Sequence, residues 1–154
     1  MSDPAIRSYL GRLPFLDGLS SEQLDQLASF AFATRVNAQQ RLFKSDTSAD
    51  NFYIVREGKV GVEIPAISGE PLRIQTLGKD GVLGWSWLVP PYRWLFDARA
   101  LSPSDVITVD GVRLREHCEI DNVLGYQLLK RFAGLMAERL NASRLTAIKH
   151  YSGS

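Results

Sequence analysis

The sequence predicts a mainly β domain with flanking helices: a jelly roll preceded by short helices and followed by one long helix. Three observations predict it. Apolar residues recur at helical spacing near both ends, from Pro4 to Ala33 and from Asp110 to Ile148. Between them, residues 34–109 break into short β-rich runs separated by polar and glycine turns. The length, 154 residues, suits a single domain that can bury a full core.

The N-terminal zone, 4–33, reads as two short helices and a turn. Ile6, Tyr9, Leu10 and Leu13 form one apolar face, and Pro14 ends the run. Ser20 with Gln23 three residues on is a capping box, and Leu24, Leu27, Ala28 and Ala31 follow on one side of the next helix. In the β zone, Arg41–Phe43, Phe52–Val55, Lys59–Ile64, Leu72–Thr76, Asp97–Leu101 and Val106–Val109 read as strands. Gly58 sits where a tight turn needs positive φ, and Asp46 serves an earlier turn, since Asp tolerates the left-handed region. Asp97 and Arg99 share a strand face and read as a surface ion pair. In the last zone, 110–148, Asp110 and Asp121 are N-caps. The helix from Asp121 to about Ile148 is ~40 Å long at 1.5 Å per residue.

Composition excludes several function classes. Lys plus Arg is 18 against 17 for Asp plus Glu, which leaves no global basic field for a nucleic-acid backbone. The one cysteine, Cys118, excludes an internal disulfide, a cysteine-rich zinc site and an iron–sulfur cluster. No apolar run nears the ~20 residues of a membrane helix, and Met1–Pro4 lacks the features of a signal peptide, so a cytoplasmic protein is expected. No nucleophile, base and oxyanion hole assemble, so no enzyme activity is expected; no motif calls for a metal or other cofactor.

Beyond this layout, particular segments resemble the cyclic-nucleotide-binding domain of bacterial cyclic-AMP receptor and fumarate–nitrate type regulators. Leu42 to Val60 looks like that family's opening strands, Leu77 to Gly84 like the run into its phosphate-binding cassette, and Asp97–Ala100 like the strand leaving it. The resemblance implies an eight-stranded double-stranded β-helix with a long C-terminal helix. It also implies a small-molecule ligand, a cyclic nucleotide such as cyclic AMP or cyclic GMP, held between the cassette (Gly84 to Leu95), the barrel and that helix. Gly84 opens the segment Trp85-Ser86-Trp87-Leu88, which the family makes into a helical turn with free N–H groups suited to a phosphate.

The cassette departs from the family pattern at three places. Trp85 stands where the family has a Glu for the ribose, and Trp94 where it has the Arg that pairs with the phosphate. Leu95 follows in place of a hydroxyl residue, and Arg93 is one position away from the family Arg. Trp85, Trp87, Tyr92, Trp94 and Phe96 fall within twelve residues, and these include all three tryptophans. Three readings stand: the aromatics pack the core, they line a pocket for a planar ligand, or one fills the nucleotide pocket itself.

On the long helix, the resemblance makes Arg139 and Ser143 ligand contacts; the bland alternative is a solvated helix face. It also makes the stripe Leu128, Phe132, Leu135, Met136 and Leu140 a homodimer face, with packing on the chain's own barrel as the other choice. The family's regulators continue into a DNA-binding domain. One domain spanning 1–154, with no DNA-binding unit and no direct DNA contact, is the expectation here. The functional expectation is a stand-alone ligand-sensing regulatory domain; the alternative is a self-filled domain acting as an interaction and dimerisation module.

Overall fold

The computed structural model describes residues 3–152. Two helices, α1 (Pro4–Arg12) and α2 (Ser21–Ser29), flank a short 3-10 turn at Pro14–Leu16. Eight strands follow: β1 (Ala31–Val36), β2 (Arg41–Phe43), β3 (Asn51–Glu57), β4 (Val60–Ile64), β5 (Leu72–Leu77), β6 (Val82–Leu83), β7 (Asp97–Ala100) and β8 (Ser104–Asp110). The chain ends in α3 (Gly111–Ile120) and α4 (Asn122–Ser152). The strands form two antiparallel four-stranded sheets, β1-β8-β3-β6 and β2-β7-β4-β5, which is the expected jelly roll.

Local chemistry sets the helix starts. Ser20 accepts from the Gln23 N–H while the Gln23 side chain returns to the Ser20 N–H, so the capping box closes in both directions. Asp110 accepts from Arg113 N–H, and Asp121 from Leu124 N–H, capping α3 and α4. Gly58 turns β3 into β4 at φ +100, where a Cβ would stand 2.2 Å from Ser104 Oγ. Asp46 adopts φ +65 in its turn, as expected of a residue that tolerates that region.

Each face of the β1-β8-β3-β6 sheet has its own partner. Phe52, Ile54, Ile107 and Val109 lie on one face and join the helices: Phe52 meets Phe132 of α4 at 5.0 Å, edge to face. On the other face Tyr53 looks toward the second sheet, where it stacks on Phe43 at 6.0 Å. One contiguous core therefore runs from α1 and α2 through the sheets to α4.

Three expectations need correction. Ala31–Ala33 do not extend α2 but open β1, paired Ala31 to Val109 and onward along β8; the ladder overrides the helical preference of an alanine-rich stretch. The two-residue strand β6 was not expected either; it exists because Val82 and Leu83 pair with Ile54 and Tyr53. Asp97 and Arg99 do not pair with each other. Asp97 is buried and accepts from Ser45 N–H at 2.7 Å, whereas Arg99 turns to the buried Glu63 across β4 at 3.3 Å.

The long helix uses its apolar stripe on its own barrel. Leu124, Leu128, Phe132 and Leu135 are buried in the core, so the Leu128, Phe132 and Leu135 expected on a dimer face are not on an outward surface. Met136 is half-buried and Leu140 is exposed. The outward apolar residues include Tyr126, Leu129 and Leu140, with the exposed Ala133 among them, at successive spacings of three, four and seven. Among the described residues, no helix is long and apolar enough to cross a membrane.

Candidate ligand pocket

The cassette runs from β6 to β7. Gly84 leaves β6 at φ +100, and Ser86–Leu88 make a single turn in which Leu88 N–H donates to Trp85 C=O at 3.0 Å. A hydrogen-bonded turn thus stands where a short helical turn was expected, and its walls are aromatic. Around it lies a small cavity lined by Phe43, Gly84, Trp85, Ser86, Trp94, Leu95, Phe96 and Arg139. Its volume is about 10 Å³, room for roughly one water molecule.

Trp94 is what leaves it so small. The side chain is 5% exposed and stacks on Phe43 at a centroid distance of 3.8 Å and an interplanar angle of 11°. Its far edge closes against Gly84, where a Cβ would lie 2.7 Å from Trp94 Cη2. Glycine is therefore required twice at position 84, by the positive φ and by the ring against it. Trp85 packs edge to face on Phe96 at 5.9 Å.

Arg139 reaches the same cavity from α4. Its side chain is 2% exposed and its guanidinium lies 5.4 Å from the Trp85 ring. Nε and Nη2 are buried without a hydrogen-bond partner among the described residues. Burial pulls its pKa down to about 10, and the neighbouring Glu138 offsets this in part. The solvated-face reading of Arg139 does not hold. A planar five-donor cation sits in a buried site beside a glycine and a buried serine.

The other expected residues scatter. Ser86 is buried and lines the cavity, and Leu95 forms its exposed rim. Trp87 points elsewhere: it is fully buried against Phe52 and Phe132, under α4. Arg93 faces outward and pairs with Asp46 in the earlier turn at 3.2 Å, away from the cavity lining. Ser143 is half-buried one turn beyond Arg139 and does not line it.

Two residues that sequence reading did not single out complete the local structure. Phe43 is the platform for Trp94; nothing in a three-residue strand fragment announces that. Arg115 of α3 donates to Trp87 C=O and lays its guanidinium 3.9 Å over the Tyr92 ring, clamping both ends of the cassette loop to the helices. The backbone of Gly111 adds a third contact, since a Cβ there would stand 2.8 Å from Trp87 Cβ.

Comparison with known proteins agrees with this arrangement. The profile of the family described as the cyclic nucleotide-binding domain matches residues 33–121, more than half of the chain. Among solved structures, the chain is similar to a protein of Geobacter metallireducens GS-15 described as a cyclic nucleotide-binding protein. That match has 28% identity and a TM-score of 0.79, over 87% of this chain and 97% of that one. It also resembles the N-terminal domain of a transcriptional regulator from Streptomyces coelicolor A3(2), at 21% identity and a TM-score of 0.67, over 87% and 94%. A third is the regulatory subunit of a cAMP-independent protein kinase A from Trypanosoma cruzi bound to guanosine. There the identity is 23% and the TM-score 0.69, over 84% of this chain but only 45% of that longer one. No curated protein sequence matches the chain. With two sheets in jelly-roll order, a glycine-led cassette between β6 and β7, and a long helix laid over it, the chain belongs to the cyclic nucleotide-binding domain family.

Proposed function

We propose that this chain is a ligand-sensing regulatory domain whose pocket is closed by its own Trp94 when empty and opens for an anionic small molecule that pairs with Arg139. The observation that carries this reading is the guanidinium of Arg139, buried at the cavity with Nε and Nη2 unpaired. A buried unpaired cation is costly, and an anion that satisfied it would gain a desolvated, fork-shaped hydrogen-bonding partner. Gly84 and Ser86 supply the small polar wall opposite. The ligand would displace the Trp94 ring from Phe43 and bind α4 to the cassette through Arg139. The helix position would then be the output, through different affinities for its two placements. In keeping with a regulatory family, no catalytic role is assigned to any residue.

A second reading has its own observation. Trp94 fills the place of the phosphate-pairing Arg and stacks tightly, so the domain would be a permanently self-filled interaction module. In both readings homodimerisation runs along the outward seam of Tyr126, Leu129, Ala133 and Leu140.

Tryptophan emission separates the two readings, since every tryptophan lies in the cassette. Cyclic AMP and cyclic GMP are titrated to millimolar concentration with guanosine as a phosphate-free control, and thermal stability is followed in parallel. Saturable emission change and a raised melting temperature with a cyclic nucleotide, lost in Arg139→Met, support the sensor. A response to guanosine alone removes Arg139 as the phosphate partner. Silence toward all three leaves the self-filled module.

A further inference from the structure

We propose a second small-molecule site, for a single-ring carboxylate, in the cleft between the open edges of the two sheets. β1 is the edge strand of one sheet and β2 of the other. Between them lies a cleft of about 230 Å³, larger than the cassette cavity and below drug-sized pockets, so it suits one ring with a substituent.

The lining explains the choice of ligand. Phe32, Thr34 and Val36 alternate along β1 on the inward face of their sheet, in register with Thr108 and Val106 of β8, and Tyr53 of β3 lies beyond. The inner face of a small jelly roll is ordinarily filled with apolar side chains. Here it carries three hydroxyls. Thr34 and Thr108 share one hydrogen bond at 3.0 Å, and the Tyr53 hydroxyl has only long contacts, to Leu42 C=O at 3.4 Å and Asn51 at 3.5 Å. Burial raises the Tyr53 pKa, so this hydroxyl stays a donor. Phe32, although it faces inward, is 53% exposed and offers an open ring face.

Charge decides the sign of the ligand. Arg41 is the one charged side chain in this lining among the described residues. Its nearest carboxylate, Asp97, is 3.9 Å away and already accepts from Ser45 N–H at 2.7 Å. The guanidinium, 45% exposed, keeps donors free for a carboxylate at the rim while the ring lies over Val36, Leu42 and Val106. The site is separate from the cassette but not remote from it: Tyr53 stacks on Phe43, and Phe43 on Trp94.

Benzoate is the probe, with benzylamine as the same-sized cation, and amide NMR shifts of the full chain as the readout. Benzoate should move the Phe32, Thr34, Tyr53 and Thr108 signals saturably while benzylamine does not. Arg41→Gln should weaken benzoate at least about tenfold, the loss of one charge-assisted pair. Phe32→Ala, at an exposed position that leaves the core intact, should weaken it too. No saturable shift, equal binding of benzylamine, unchanged affinity in Arg41→Gln, or shifts centred on Gly84 and Ser86 would each overturn the assignment. The last outcome would credit the cassette pocket instead, so failure here is distinguishable from failure of the cyclic-nucleotide titration.

Discussion

Replacing Arg139 by Met removes a buried charge but keeps a side chain long enough to fill the same space. Burial holds the guanidinium pKa at about 10, well below its ordinary value. At 1.36 kcal/mol per pKa unit, keeping this group charged in the folded state costs about 3 kcal/mol. The contact with Trp85 returns about 1 kcal/mol of that, and it is lost with the charge. Arg139→Met should therefore stabilise the ligand-free protein by about 2 kcal/mol, a rise in melting temperature of roughly 4–8 °C for a chain of this size. The pH dependence has a definite sign. The folded pKa is below the unfolded one, so the unfolded state binds the extra proton between them. The penalty is complete below about pH 10 and fades as pH rises above it. Wild type should thus gain on the variant above pH 10. Urea denaturation at pH 7 and pH 10.5 measures both effects, urea being chosen because a guanidinium denaturant would add a competing ion. A variant less stable than wild type at pH 7 would mean that Arg139 is already satisfied in the free protein, and the anion-pocket argument would fall with it.

Four further outcomes follow from the structure. Gly84→Ala places a methyl 2.7 Å from Trp94 Cη2 at a φ of +100, so it should cost about 1–3 kcal/mol and shift tryptophan emission as the ring leaves Phe43; urea melts with fluorescence detection read both. Leu140→Asp, at a position 72% exposed, should leave the fold's stability within about 0.5 kcal/mol but abolish any dimer seen by analytical ultracentrifugation. Leu128→Asp should instead unfold the chain, because Leu128 is fully buried. The Cys118 thiol is pushed up from 9.0 to about 11 by burial, with Asp121 and Glu119 adding to the effect. Its alkylation at pH 8 should be roughly a hundredfold slower than in the urea-unfolded chain, as a mass-spectrometric time course would record.

What the sequence revealed and what it concealed divide along physical lines. Caps and turns were legible because they are local: Ser20 and Gln23 lie three residues apart, and Gly58 and Asp46 declare their own backbone. β1 was hidden because its partner β8 is some seventy residues away, and the local alanine-rich stretch reads as helix until that pairing overrides it. The apolar stripe of α4 was visible, but periodicity cannot say whether the partner is the chain's own barrel or a second copy. At the candidate site, family resemblance picked out Gly84, Ser86, Trp94 and Arg139, which line one small cavity. It did not tell Trp85, which lines the cavity, from Trp87, which is buried under α4; both are apolar and two residues apart on a turn. Phe43 and Arg115 carried no signal, since their importance lies wholly in tertiary contacts.

The burial pattern of α4 has a mechanical consequence. From Leu124 to Arg139 the helix has buried residues every three or four positions; beyond Arg139, through Tyr151, it has none. Although Ala142, Ser143 and Thr146 stay half-buried and this end still lies beside Ile74 of β5, the last fully buried side chain of the helix is thus Arg139. A hydrocarbon at that position would weld the first half of the helix shut. An arginine there would let the proposed ligand change how firmly α4 is held, because its charge is the part of the contact that burial opposes.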